Sequence, residues 1–311
     1  MKYKSLLHRI TPLFSLLLLI GIAVIIKKEL GQYDFKNIIQ SLSQISHSNI
    51  YLAIGLTLTG YSVISFYDKI ALAYLQYPLP IQKIITTAFV SYAVCNTTSF
   101  ALIVGGGIRY YFYRSYAVPH KTIAQILAFS NLTFWIGLLA VGGLTFLIEP
   151  LAIPKLLHLH FATVRPIGAI FLVIVSIYLY FSWQQKSLKI KGQTVTIPSL
   201  SISTAQIAIS AGDWAIASAV LYVLLPSHAN LSYWSFLGIY LLGITAAIIS
   251  HIPGGLGVFE TIVIYLLPKQ ITTTDALGSL LAYRGIYYLL PLAIALFYWL
   301  IYEIKKRLLL Q

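Results

Sequence analysis

Four ionisable residues, Asp68, Asp213, Glu260 and Arg284, stand within or beside long apolar runs of a 311-residue chain. Their chemistry is limited and specific. A carboxylate can take up a proton, hold a cationic headgroup or neutralise an arginine, while a guanidinium can grip a phosphate through two parallel N–H donors. An ionised group at the centre of a bilayer costs at least roughly 2.5–3.5 kcal/mol, so it persists where it is paired, hydrated or functional. Asp68 follows Thr57, Tyr61 and Ser65 along one helical stripe, and either faces a polar interior or sits hydrated beside Lys69 at the interface. Asp213 follows Ser203, Gln206 and Ser210 in the same way, a stripe suited either to hydrogen bonding between helices or to a substrate. Arg284 shares a face with Tyr287, Tyr288 and Pro291. It can hold a lipid phosphate, pair with a carboxylate on another helix, or snorkel to the headgroups from the nearby boundary at Asp275.

The fourth group, Glu260, closes the stretch "HIPGGLGVFE" at 251–260. Pro253 removes a backbone donor, and Gly254, Gly255 and Gly257 widen the accessible φ/ψ range, so the spacing predicts an interrupted helix over 253–257. Irregular backbone at membrane depth is tolerated where it is buried in protein or lines a wet cavity. A helix restarting at Val258 would offer its first amides to an anion. Glu260 in that first turn would compete with such an anion, bind a cationic headgroup, pair with Arg284 or take up a proton; the alternative is an ordinary turn outside the membrane. The glycines of "VGGGIRYYFYR" predict a second break near 105–107, with Arg109 and Arg114 meeting headgroups. That run lacks the lysine and following Ser/Thr of a nucleotide-binding loop.

These groups need helices to carry them, and composition supplies the setting. Hydrophobic residues make up 59% of the chain and charged residues only 9%, with mean hydropathy +0.83, where soluble domains carry about 25% charge. The chain therefore reads as an integral membrane protein with no sizeable soluble domain. Its net charge of +13 lies in small clusters at the ends of apolar runs, which suits anionic lipid headgroups and argues against nucleic acid as a partner. Cys95 is the single cysteine, leaving no internal disulfide and no multi-thiolate metal site. His158 and His160 lack a nearby third ligand, and neither a Gly-x-Ser-x-Gly sequence nor a metalloprotease helix occurs, so no metal or cofactor is expected.

Apolar runs at 11–29, 49–75, 82–104, 122–148, 165–183, 203–225, 234–252 and 276–303, with a shorter piece at 259–267, predict an all-α polytopic bundle of about eight spans. The basic start resembles a secretory signal but lacks a small-residue cleavage site, so it is expected to remain as the first helix. Residues 33–46 have the spacing of a helix lying on the membrane surface, and 109–121 also reads as interfacial. Basic clusters divide almost evenly between the two sides of an eight-span arrangement, and the basic ends favour both termini in the cytoplasm. Asp68 and Asp213 each precede a proline by about a dozen residues and a glycine cluster by about forty, which suggests a repeat relating 49–149 to 200–303.

"HIPGGLGVFE", "GGGIRYYFY", "FYDKIAL" and "AYRGIYYLLPL" together resemble the lysylphosphatidylglycerol synthase transmembrane-region family. That family includes the membrane portion of the bacterial multiple peptide resistance factor and stand-alone inner-membrane proteins. The resemblance implies an eight-span inner-membrane domain regarded, in the resistance factor, as a flippase for aminoacylated phosphatidylglycerol. Asp68, the 253–260 motif with Glu260, and Arg284 are the matching positions. The full factor continues into further helices and a soluble aminoacyl-tRNA-dependent transferase, whereas this sequence stops at "KKRLLLQ". A lipid translocator acting on anionic or aminoacylated phospholipid is the leading expectation. Its rivals are an intramembrane enzyme that transfers a group to a lipid carrier, with a carboxylate as base, and a membrane partner of a separate lipid-modifying enzyme.

Overall fold

A computed structural model describes residues 40, 43–97, 101–149, 151, 163–185, 187–190, 193–226, 231–250, 255 and 257–308. The first expected span at 11–29 and most of the expected surface helix lie outside those residues. The body is helical: α1 (His47–Tyr74), α2 (Ile81–Cys95), α3 (Ala101–Ser115), α4 (His120–Ile148), α5 (Arg165–Trp183), α6 (Leu200–Leu224), α7 (Tyr233–Ser250), α8 (Val258–Leu266), α9 (Thr273–Tyr283) and α10 (Leu290–Leu308). A π-helical turn, Arg284–Leu289, joins α9 to α10 into one long rod. A small antiparallel hairpin, β1 (Ser187–Ile190) and β2 (Gln193–Thr196), connects α5 to α6, with Ser187 opposite Thr196.

Among the described residues, six helical segments are long and apolar enough to cross a membrane: α1, α4, α5, α6, α7 and the α9–α10 rod. Their starts follow local rules. The Ser46 side chain accepts from Asn49 N and caps α1; Thr272 accepts from Asp275 N and caps α9; Pro80 and Pro119 precede α2 and α4. The polar groups lie inside. Thr57, Ser65, Thr133, Ser203, Gln206 and Ser210 are buried, while Ile170, Val173, Ile174 and Ile177 cover the outward face of α5. Lipid rewards that distribution, because apolar surface costs nothing against acyl chains and each buried hydroxyl or amide needs a partner. Gln206 donates to Thr133 (2.7 Å) and accepts from Tyr178 (2.5 Å), and Ser182 and Ser203 lie 2.8 Å apart, stitching α4, α5 and α6.

Two expectations are corrected. Residues 82–104 do not form one span: α2 and α3, of 15 residues each, are separate helices packed as a hairpin. Lys83 at the start of α2 lies over the Tyr116 ring just past α3, and Ser91 donates to the Gly105 carbonyl, so the chain enters and returns at one end of the bundle. The expected break at 105–107 is also absent there, for Gly105–Gly107 lie within α3 and the chain turns before residue 101. The glycine serves close approach rather than unwinding: a Cβ on Gly105 would stand 1.9 Å from Cys95 Sγ.

The predicted interruption near 253–258 does separate two helices. α7 ends at Ser250, α8 begins at Val258, and Gly255 and Gly257 take φ of 64° and 77° between them. Gly243 packs against Phe259 and Val263, which makes α7–α8 a second hairpin. The two hairpins point opposite ways. α1 and α6 run antiparallel, with Tyr67 beside Ser210 and Gly60 beside Ile216, and each is followed by a hairpin returning to the end where that helix finishes. Among the described residues this arrangement also groups the charges unevenly. Lys83, Arg114, Lys121, Lys305 and Lys306 share one end, whereas Glu149, Arg165, Lys269 and Asp275 occupy the other.

The close crossing of α4 and α6 sets a test. A Cβ on Gly137 in α4 would lie 2.0 Å from Ser210 Oγ and 2.9 Å from the Ser210 carbonyl carbon. Gly137→Ala is expected to lower stability by about 1–3 kcal/mol through overpacking, read as a lower melting temperature in detergent, with partial recovery when Ser210→Gly is added.

Candidate functional site

Two arginine–carboxylate pairs occupy the interior, and their surroundings differ. Asp68, on the last third of α1, is fully buried. It receives Arg109 Nε at 2.9 Å and Nη2 at 3.1 Å, Tyr113 Oη at 2.8 Å and Ser130 Oγ at 3.0 Å. Arg109 in turn donates through Nη1 to Ser91 (2.9 Å) and lies flat over Tyr92, 4.2 Å from the ring centroid. This geometry settles the alternatives left for Asp68: it faces the interior rather than bulk water. Arg109 is corrected as well. It is 4% exposed and turned inward on α3, not outward to headgroups, and Phe112 and Tyr113 are buried beside it, so the 109–121 stretch is only partly interfacial. Every acceptor on Asp68 is engaged across α1, α3 and α4, which is the character of a structural clamp. A cavity of about 170 Å³ flanks it, lined by Arg109, Tyr92, Asn96, Ser130 and Asn131 among others.

The second pair sits where the backbone is broken. Arg284 donates to Glu260 Oε1 through Nε at 2.9 Å and Nη2 at 2.5 Å, and lies 5.4 Å from the Tyr288 ring. Glu260 Oε2 accepts from Gly257 N at 2.8 Å, so one carboxylate bridges the restarted helix and the guanidinium. The side chains are 12% and 7% exposed, against 5% and 0% for the Arg109–Asp68 pair. Arg284 begins the π-helical turn, a distortion frequent at functional positions. The wide turn moves Tyr288 beside the guanidinium. Tyr287 instead stacks on Tyr283, with centroids 5.2 Å apart, and its carbonyl accepts from Tyr61.

Asp213, the remaining acid of the central region, lies midway along α6 and is 5% exposed. Tyr67 donates to its Oδ2 at 2.9 Å and stands 2.8 Å from Ser210 Oγ. Gly254 lies outside the described residues. A polar cleft of about 310 Å³ opens at the end of the bundle where α6 finishes, among Ser46, Asn49, Pro226, Asp275 and Ser279.

Residues that sequence patterns did not single out complete the Asp68 clamp. Tyr113 stands one helical turn from Arg109, a signal that helical spacing contains. Ser91, Tyr92 and Ser130 come from other helices and carry no such signal. At the break, Gly255→Ala is expected to cost more stability than Gly257→Ala. Both glycines have positive φ, but only a Cβ at Gly255 meets Ala247, at 2.5 Å. Thermal melts should show about 1–3 kcal/mol for the first, with the second smaller by the missing overlap.

A family model described as "Lysylphosphatidylglycerol synthase TM region" matches residues 12–295. The Synechocystis sp. "Uncharacterized protein slr0712" is 47% identical over 272 residues, covering 87% of this chain and 84% of that protein. The Escherichia coli "Inner membrane protein YbhN" is 30% identical over 301 residues, covering 96% and 92% respectively. A Staphylococcus haemolyticus "Phosphatidylglycerol lysyltransferase" is 24% identical over 299 residues; 91% of this chain matches only 33% of that longer protein.

Proposed function

The chain belongs to the lysylphosphatidylglycerol synthase TM region family and is a multi-pass protein of the bacterial inner membrane, and from that premise we propose that it moves a phospholipid headgroup through the bilayer. The observation that carries this reading is the Arg284–Glu260 pair at the broken helix. Glu260 takes both donors that would suit an anion, the guanidinium fork and the Gly257 amide at a helix start. A lipid phosphate entering this position displaces the carboxylate, and the carboxylate returns when the lipid leaves. Burial of the empty site is then charge-neutral, which spares the bilayer an isolated cation.

Architecture supports transport. Residues 49–149 and 200–303 are read as two inverted halves, each a long helix, a hairpin and a further long rod, with one buried arginine–carboxylate pair inside each half and the Tyr67–Asp213 contact between them. Secondary transporters built this way hold their substrates near the midplane at broken helices. The end bearing Lys83, Arg114, Lys121, Lys305 and Lys306 is assigned to the cytoplasm by the excess of basic residues. Anionic phospholipid is the expected class of cargo, aminoacylated or not, and a separate lipid-modifying enzyme is its natural supplier.

The direct test is reconstitution of the purified protein into vesicles carrying phosphatidylglycerol labelled in one leaflet, followed by chemical quenching from outside. Transfer above protein-free vesicles, with lipid composition unchanged, is the expected result. New lipid species with no redistribution would instead indicate the intramembrane enzyme.

A further inference from the structure

Asp213 is the buried acid for which the proposed headgroup exchange has no use. It lies about 20 Å from one end of α6 and about 17 Å from the other, counted at 1.5 Å per residue, close to the middle of the bilayer. Arg109 is taken by Asp68 and Arg284 by Glu260. Among the described residues Oδ1 of Asp213 has no hydrogen-bond partner, while Oδ2 is held by Tyr67. Among the described residues the titratable groups in electrostatic reach of it are phenols: Tyr61 and Tyr67 from α1, Tyr92 from α2, Tyr240 from α7 and Tyr287 from the π-helical turn. From α4, Phe134 packs against the adjacent Trp214. A bare carboxylate in such a place loses its hydration without any charge to replace it.

We infer that Asp213 is a proton-exchanging carboxyl, and that its loading and release drive the headgroup movement proposed above. The step is a simple transfer: an O–H bond of hydronium breaks as one forms on Oδ1, leaving water, and the new bond breaks when the proton passes to water on the opposite side and regenerates hydronium there. Tyr67 fixes the other oxygen, so the incoming proton has one place to go. The coupling rests on the transport reading; the proton site itself does not.

Two measurements separate them. Infrared spectroscopy of the full chain in lipid at neutral pH should show a protonated-carboxyl C=O band that Asp213→Asn removes, Asp213→Glu restores, and Asp275→Asn, at the start of α9, leaves in place. In vesicles containing phosphatidylglycerol, a gradient of about one pH unit carries at most about a tenfold bias. Wild-type transfer should follow that gradient and lose it on adding a protonophore, whereas Asp213→Asn should be indifferent to it. A missing band, an undiminished gradient response in Asp213→Asn, or a response to sodium instead of pH would each overturn the inference. If the band is present and no lipid moves under any condition, the transport reading fails and the proton site stands.

Discussion

Arg284→Ala is expected to reduce lipid transfer by about 10- to 100-fold while the protein stays folded. The estimate follows from charge-assisted hydrogen bonds of about 1.5–3 kcal/mol that the guanidinium would give a phosphate and a methyl group would not. Folding survives because Glu260 keeps the Gly257 amide as a donor at the start of α8, where the helix dipole suits its charge, in a pair already 12% and 7% exposed. Arg284→Lys keeps the charge but loses the planar fork, and should fall between wild type and alanine. Transfer by quenching in vesicles, alongside a thermal melt of the same preparation, checks both halves. Undiminished transfer by the alanine variant would remove Arg284 from the lipid path.

Arg109→Ala should do the reverse, with its main cost in stability. Its removal strips three hydrogen bonds from a fully buried Asp68, leaving a carboxylate held only by Tyr113 and Ser130. Breaking a buried pair by deleting one partner typically costs 3–5 kcal/mol, about what a small domain has to spare. Loss of the folded monomer peak in detergent, or a large fall in melting temperature, is the expected readout. Asp68→Ala should behave alike, and the double variant should recover part of the loss, because no uncompensated charge remains. Single-variant losses below about 1 kcal/mol would show that water reaches this pair and that it is not a clamp.

The contrast between the two pairs was only half legible in the chain. Asp68 and Arg284 stand out because a charge within an apolar run is costly wherever it lies, and Glu260 because a proline and three glycines precede it. Their partners are another matter. Arg109 reads as a headgroup contact, since arginine among tyrosines is the usual membrane-interface composition, yet α3 folds back alongside α2 and carries it inward. Nothing local distinguishes those outcomes: a run of apolar residues from 82 to 104 has the length of a span, and only packing against α1, α4 and α10 makes it a returning hairpin instead. The same reversal regroups the basic clusters, because the return of α3 alongside α2 puts 109–121 at the end shared with the C-terminal lysines.

Composition and periodicity by themselves determine that this is a helical membrane protein, where most of its long helices run and that its backbone breaks after α7, because lipid penalises unpaired backbone and unpaired charge at every position alike. Which carboxylate meets which cation, and which one meets none, is decided by the antiparallel contact of α1 with α6 and the opposed hairpins. The ion pairs join different helices 41 and 24 residues apart and the Tyr67–Asp213 contact spans 146 residues, and helical spacing says nothing about partners on another helix.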